Sequence, residues 1–112
     1  MGVCARLLGV LCLPFLCMAC SRPAAQASAP DGPALFKGHC AACHGNDGKG
    51  RVAKIDMTAA SWQKAHSDDQ LAQTLRNGIE AKGMPSFQSL LTDDAVKAII
   101  TDAIRRFGQG EK

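Results

Sequence analysis

The chain has no tyrosine, one tryptophan and four phenylalanines among 112 residues. So few rings leave almost nothing to stack on bases, and no basic run is longer than Arg105-Arg106. Together these absences exclude a nucleic-acid-binding protein. A bilayer-crossing segment is missing too. The longest apolar run, Leu7 to Ala19 with Gly9 and Pro14 inside it, is thirteen residues, against the roughly 20 that a spanning helix needs. No stretch alternates apolar and polar residues long enough for a strand, and there is no internal repeat. Excess charge of one sign is also lacking, with eleven Lys and Arg against ten Asp and Glu from Ser28 onward.

A disulfide framework is excluded by where the cysteines fall. The apolar run follows Arg6 and fits the core of an export signal, which assigns residues 1–19 to a leader and removes Cys4, Cys12 and Cys17 with it. Residues 20–30 read as a flexible tether: "SRPAAQASAP" holds two prolines and nothing apolar larger than alanine, so ordering it would bury nothing. Two processing routes compete. Cleavage before Cys20, in "LCMAC", exposes a cysteine for lipid attachment and anchors the protein to a membrane. Cleavage after Ala27 follows the small residues Ala25 and Ala27 and releases a soluble protein. On either route Cys40 and Cys43 are the only cysteines of the domain, residues 31–112.

That domain reads as all-α. Asp31-Gly32-Pro33 is a helix start with a polar cap and a first-turn proline, and a helix is expected over Ala34 to Cys43, carrying Leu35, Phe36, Cys40 and Cys43. Such a helix sets the two thiols one turn apart and facing the same way. Ser67 and Gln70 form a capping box for a second helix, with Asp68 and Asp69 in its first turn, Leu71, Leu75 and Ile79 as its apolar stripe, and Gly78 as its stop. In the last helix Val96, Ile99, Ile100, Ala103, Ile104 and Phe107 recur at i, i+3, i+4, i+7, i+8 and i+11 between Asp93-Asp94 and Arg105-Arg106. A shorter piece around Thr58 to Ala65 carries Trp62. Three or four short helices make a thin core, and a domain this small needs something large and apolar to complete its interior.

Cys40, Cys43 and His44 stand together in "HCAACHGNDGKG". Three chemistries use such a cluster: a dithiol redox pair, half of a zinc site, or the anchor of a covalent haem. The dithiol motif normally opens a helix in a strand-containing fold, and no strands are expected here. Zinc needs four ligands; His39 or His66 supplies a fourth only from outside any second closely spaced pair. Haem needs two thiols one helical turn apart to add across its two vinyl groups, and a histidine directly after the second to lie beneath the iron. Four further features favour haem: the export signal, the break at "GNDGKG", the "KGMPSF" loop, and the closing amphipathic helix. In that loop Pro85 holds the Met84 backbone extended, which keeps its thioether out of a helix and free to reach the opposite face of the iron.

"ALFKGHCAACHGNDGKG", then "MPSF", then a final apolar-striped helix together resemble a small single-haem bacterial class I c-type cytochrome, over about residues 31 to 107. The resemblance implies a bundle of short helices wrapped around one covalently attached haem c. Cys40 and Cys43 are its implied thioether anchors, His44 the proximal iron ligand and Met84 the distal one. Two departures carry expectations of their own. Many members place a proline carbonyl against the proximal histidine, but no proline lies between His44 and Met84, so a carbonyl near Arg51 to Lys54, or water, has to orient His44. Many also carry a tyrosine in the last helix; here Phe107 or Ile104 has to pack in its place.

Other residues read more plainly. Met57, Met84's rival, is expected to pack in the core, as is Trp62, whose indole N–H could also meet a haem propionate. His39 and His66 sit in polar neighbourhoods. Lys37, Lys49, Arg51, Lys54 and Lys82 are solvated charges or a positive rim that steers an acidic partner. The expected function is one-electron transfer in the bacterial periplasm by a protein that is not itself an enzyme, between unidentified redox partner proteins and ending at a respiratory oxidase or reductase. Two alternatives remain: a haem subunit of a dehydrogenase complex, and a haem-based ligand binder or sensor in which Met84 does not hold the iron.

Overall fold

The structure is a computed structural model that describes residues 28–110. The expected leader and most of the tether lie outside the described residues. Within them every regular element is helical, apart from one isolated antiparallel bridge between Ile79 and Met84.

Helix α1 spans Gly32–His39, and its start is the one expected: the Asp31 carboxylate accepts from Ala34 N at 3.0 Å, with proline in the first turn. The expected run to Cys43 is not continuous. Cys40 takes φ −119°, ψ −34°, and a separate turn, α2, covers Ala41–His44. Gly38, in the last turn of α1, weakens the commitment of that end to helical dihedrals. Across the break Cys40 is buried while Cys43 is exposed.

Helix α3, Ala60–Ala65, begins two residues later than Thr58. The Asp56 carboxylate accepts from both Thr58 N (2.9 Å) and Thr58 Oγ1 (2.6 Å), which ties that residue into a turn. The same two bonds hold the Asp56 carboxyl below its ordinary pKa. Helix α4, Asp68–Asn77, carries the full capping box, Gln70 N to Ser67 Oγ at 3.2 Å and Ser67 N to Gln70 Oε1 at 2.9 Å. Leu71 and Leu75 are buried as expected, but Ile79 lies past the helix end, in the bridge with Met84.

The last helix is also interrupted. Helix α5, Asp93–Ile99, is capped by Thr92; a π-helical turn, Ile100–Ile104, follows, and α6, Arg105–Phe107, is the last element among the described residues. A widened turn of this kind shifts the register of everything after it. Val96, Ile99, Ile100, Ala103 and Ile104 are nonetheless all buried, and Phe107 is half-buried. The shift delivers Arg105 to the segment before α4. Its guanidinium donates to Asp68 Oδ1 (2.8 Å), to Gln63 O and Oε1 (both 2.9 Å), and to His66 O (2.6 Å). Gln63 Nε2 in turn donates to Met57 O (2.6 Å) and Ile104 O (2.8 Å).

The first and last helices cross at Gly32, where a Cβ would stand 2.1 Å from Ala98 O. Only glycine permits that approach. One turn further on, Phe36 meets Phe107 edge to face at 5.0 Å between ring centroids. Of the two residues expected to pack in the last helix, Ile104 is buried and Phe107 lies against Phe36.

Candidate haem-binding site

The proximal half of the site is built by local bonds. His44 N bonds to Cys40 O at 2.9 Å and Cys43 N to the same carbonyl at 3.2 Å, so the motif forms one closed turn. Gly45, at φ 79°, then releases the chain from α2. The loop folds straight back. Arg51 N, Val52 N and Ala53 N all converge on Cys43 O at 2.9–3.0 Å, and Gly50 N bonds to His44 O at 2.9 Å.

Burial decides the state of both buried groups in this turn. It pushes the Cys40 thiol up to about 11 and lowers the His44 pKa, so the thiol stays protonated and the imidazole neutral at neutral pH. His44 is buried, and its Nδ1 is the one buried side-chain nitrogen or oxygen among the described residues with no hydrogen-bond partner. The expected carbonyl from Arg51 to Lys54 therefore does not reach it. The loop turns its N–H groups, not its carbonyls, toward the motif. With no proline among residues 50–53, every one of those N–H groups is available to do so.

The distal half comes from a loop forty residues further along the chain. After Gly78 a single 3₁₀ turn, Glu80–Lys82, leads through Gly83 to Met84, which exchanges backbone bonds with Ile79 at 2.9 and 3.2 Å. Met84 is half-buried against the same apolar cluster that holds Cys40, Met57, Leu71, Leu75 and Phe87. The structure thus brings the Cys40–Ala41 end of the motif and Met84 to one core. Met57 is buried in it, as expected of a packing residue.

Trp62 is half-buried on the edge of this cluster. It stacks on His66 at 4.5 Å, and His66 Nδ1 lies 2.8 Å from Trp62 O. His66 is therefore more than an edge residue; the i, i+4 spacing of the two rings was the signal for it. His39 is exposed, with Phe87 as its aromatic neighbour at 6.3 Å. Lys37, Lys49, Arg51, Lys54 and Lys82 are all exposed. Reading the sequence alone missed Gln63, Arg76, Ser86 and Arg105, whose roles depend on partners distant along the chain.

The donor set discriminates among the three chemistries. A redox dithiol needs a thiolate, and burial drives Cys40 the wrong way. Among the described residues no group of three or more His, Cys, Asp or Glu gathers in one place. Two free thiols, a buried neutral imidazole directly after them and a thioether on the same apolar core do fit a covalently held haem.

Known proteins agree. Residues 27–101 match the family described as cytochrome c oxidase, cbb3-type, subunit III. The chain is 32% identical over 82 residues to the cbb3-type cytochrome c oxidase subunit FixPc of Rhizobium leguminosarum bv. viciae, a match covering 69% of this chain and 27% of that protein. It is 29% identical over 91 residues to subunit FixP of Azorhizobium caulinodans, covering 80% and 30% respectively. The chain thus spans less than a third of the length of these relatives. Among solved structures it is similar to the KustC0563 c-type cytochrome, with a TM-score of 0.63 and 30% identity over 69% of this chain and 96% of that one. Motif, fold and these matches converge: the chain belongs to the cbb3-type subunit III family and has the fold of a small class I c-type cytochrome.

Proposed function

We propose that this protein is a one-electron carrier holding a single haem c, with Cys40 and Cys43 as thioether anchors and His44 and Met84 as axial ligands. The supporting observation is the meeting of the Cys40–Ala41 end of the motif and the Met84 segment on one apolar core. The haem, when bound, supplies an iron that gains and loses one electron. The chain's own residues do the rest. His44 presents a neutral imidazole, which is the form able to donate a lone pair. Met84 offers a thioether that favours the reduced state and raises the potential relative to two-histidine ligation. Leu71, Leu75 and Phe87 keep water from the core. With both axial positions filled there is no open site for a substrate, and so no catalysis by this domain alone.

The domain works on the periplasmic side of a bacterial membrane, as residue 31 onward behind an export leader and tether. It is anchored there through a lipidated Cys20 or released by cleavage after Ala27. Among the described residues no helix is long and apolar enough to cross a membrane. The relatives are oxidase subunits by name, which favours a cbb3-type oxidase as the electron acceptor. The same names support a second reading, a haem subunit held in a fixed oxidase complex.

Partner docking is assigned to the rim of the site. Val52 and Leu90 are the exposed large hydrophobic residues among those described, and they fall on the two segments that bring His44 and Met84. Arg51 and Lys54 stand beside Val52 in the sequence, and Lys82 two residues before Met84, a pattern suited to a partner with an acidic, partly apolar face. Partner reduction should slow as ionic strength rises; a rate flat from low to high salt removes the charged rim from the account.

An absorption spectrum of the protein exported to the periplasm tests the whole reading. Covalent haem gives an α band that survives acid–acetone extraction, and the intact mass counts the haems and shows which cleavage occurred. A colourless product, or pigment lost to the solvent, overturns it. Co-purification with oxidase subunits selects the fixed complex over the free carrier.

A further inference from the structure

The last carbonyls of any helix lack helical partners, and α4 satisfies its own with the Met84 segment. Thr74 O accepts from Gly78 N at 2.8 Å and Leu75 O from Phe87 N at 3.0 Å, while Arg76 O accepts from the Ser86 hydroxyl. Ser86 Oγ also accepts from Gln88 N at 3.3 Å. Residues 84–86 lie flat against Gly78: a Cβ there would be 2.6 Å from Met84 O and from the Pro85 carbonyl carbon. The side chain of Arg76 meanwhile grips Asp93, the first residue of α5, through Nε (3.2 Å) and NH2 (2.9 Å), which closes the base of the loop.

The segment 84–87 is held by Met84's bonds to Ile79 and Phe87's bond to Leu75 O, all backbone bonds that nearly any sequence makes. Ser86 supplies the one that depends on a side chain. We propose that Ser86 is the positioning residue of the distal ligand: its hydroxyl, latched to the Arg76 carbonyl, sets how firmly Met84 is presented to the iron. Ser86 is exposed and touches neither Met84's sulfur nor the core, so it acts through the backbone of the loop. The proposal rests on the assignment of Met84 as iron ligand.

Imidazole competes with a methionine for ferric iron, so its affinity for the haem-loaded protein reports how tightly Met84 is held. Ser86→Ala should raise imidazole affinity about fivefold, the factor carried by one net hydrogen bond of about 1 kcal/mol. The sulfur-to-iron charge-transfer band should weaken in parallel. Ser86→Thr, which keeps the hydroxyl, should return both toward the wild type. An unchanged imidazole affinity in Ser86→Ala, even beside a lowered melting temperature, means a merely structural serine and overturns the proposal. Met84→Leu separates the two claims. If the wild type lacks the charge-transfer band and binds imidazole no more weakly than Met84→Leu, the ligand assignment fails and the proposal falls with it. If Met84→Leu abolishes the band while Ser86→Ala leaves it intact, only the latch fails.

Discussion

The two halves of the candidate site are built on different principles. The proximal half is local: five consecutive residues, Cys40 to His44, close one turn, and the loop behind them folds back onto the Cys43 carbonyl within ten residues. The distal half is assembled at a distance. The loop that carries Met84 to the core is joined to the end of α4 and the start of α5 by Ser86, Phe87 and, at its exposed base, the Arg76–Asp93 pair. Local turns lose little loop entropy on closing, whereas a long loop must be held by contacts that can each be removed. The difference implies that changes on the distal side alter ligation while leaving the haem attached, and that changes on the proximal side remove it.

The strongest way to break that contrast is the double substitution Cys40→Ala/Cys43→Ala. All pigment should extract into acid–acetone, since both thioethers are gone; any that resists falsifies the anchor assignment. Gly78→Val attacks the other half. Its residue sits at φ 71° with the Met84 carbonyl beneath it, so strain and overlap together should cost about 2–4 kcal/mol. Thermal unfolding measures that loss, and the charge-transfer band should vanish while the haem stays covalently bound. Loss of haem as well would mean that the two halves are not separable.

Arg105→Met tests the shared scaffold. It leaves the part-buried Gln63 and His66 carbonyls without their donor, while the exposed Asp68 carboxylate turns to water, with an expected loss of about 2 kcal/mol in denaturant unfolding. Because this network ties residues 57–68 to α6 and touches neither ligand segment, extraction and the charge-transfer band should both be unaltered. Asp93→Asn is the smallest perturbation. The pair is solvent-exposed, Asp93 at 85%, so the change should stay below about 1 kcal/mol and disappear in high salt. A larger or salt-independent effect would give the loop base more weight than its exposure allows.

Legibility followed the same division. The capping box at Ser67 and Gln70, the cap at Asp31, the apolar stripe of the last helix and the thiol–imidazole motif could all be read from the sequence, because each is a short-range pattern with its own physical cause. Three things could not. The break at Cys40 and the π turn at Ile100–Ile104 each shift one residue within an otherwise helical pattern, and hydrophobic spacing does not resolve a shift that small. Of the two partners expected for His44 Nδ1, a loop carbonyl or water, no carbonyl reaches it. Missing proline suggested that some other carbonyl would take its place, yet the same absence freed three N–H groups to collapse on Cys43 O.

By itself, then, the sequence determined the helical character of residues 28–110 and the grouping of two thiols with an imidazole, since residue type and i, i+3, i+4 spacing carry that information locally. Tertiary structure decided how deeply each thiol is buried, what surrounds the His44 imidazole, and how the Met84 segment is held. The last of these depends on Arg76 and Ser86 finding partners 17 and 10 residues away, and no local pattern encodes a partner at that range.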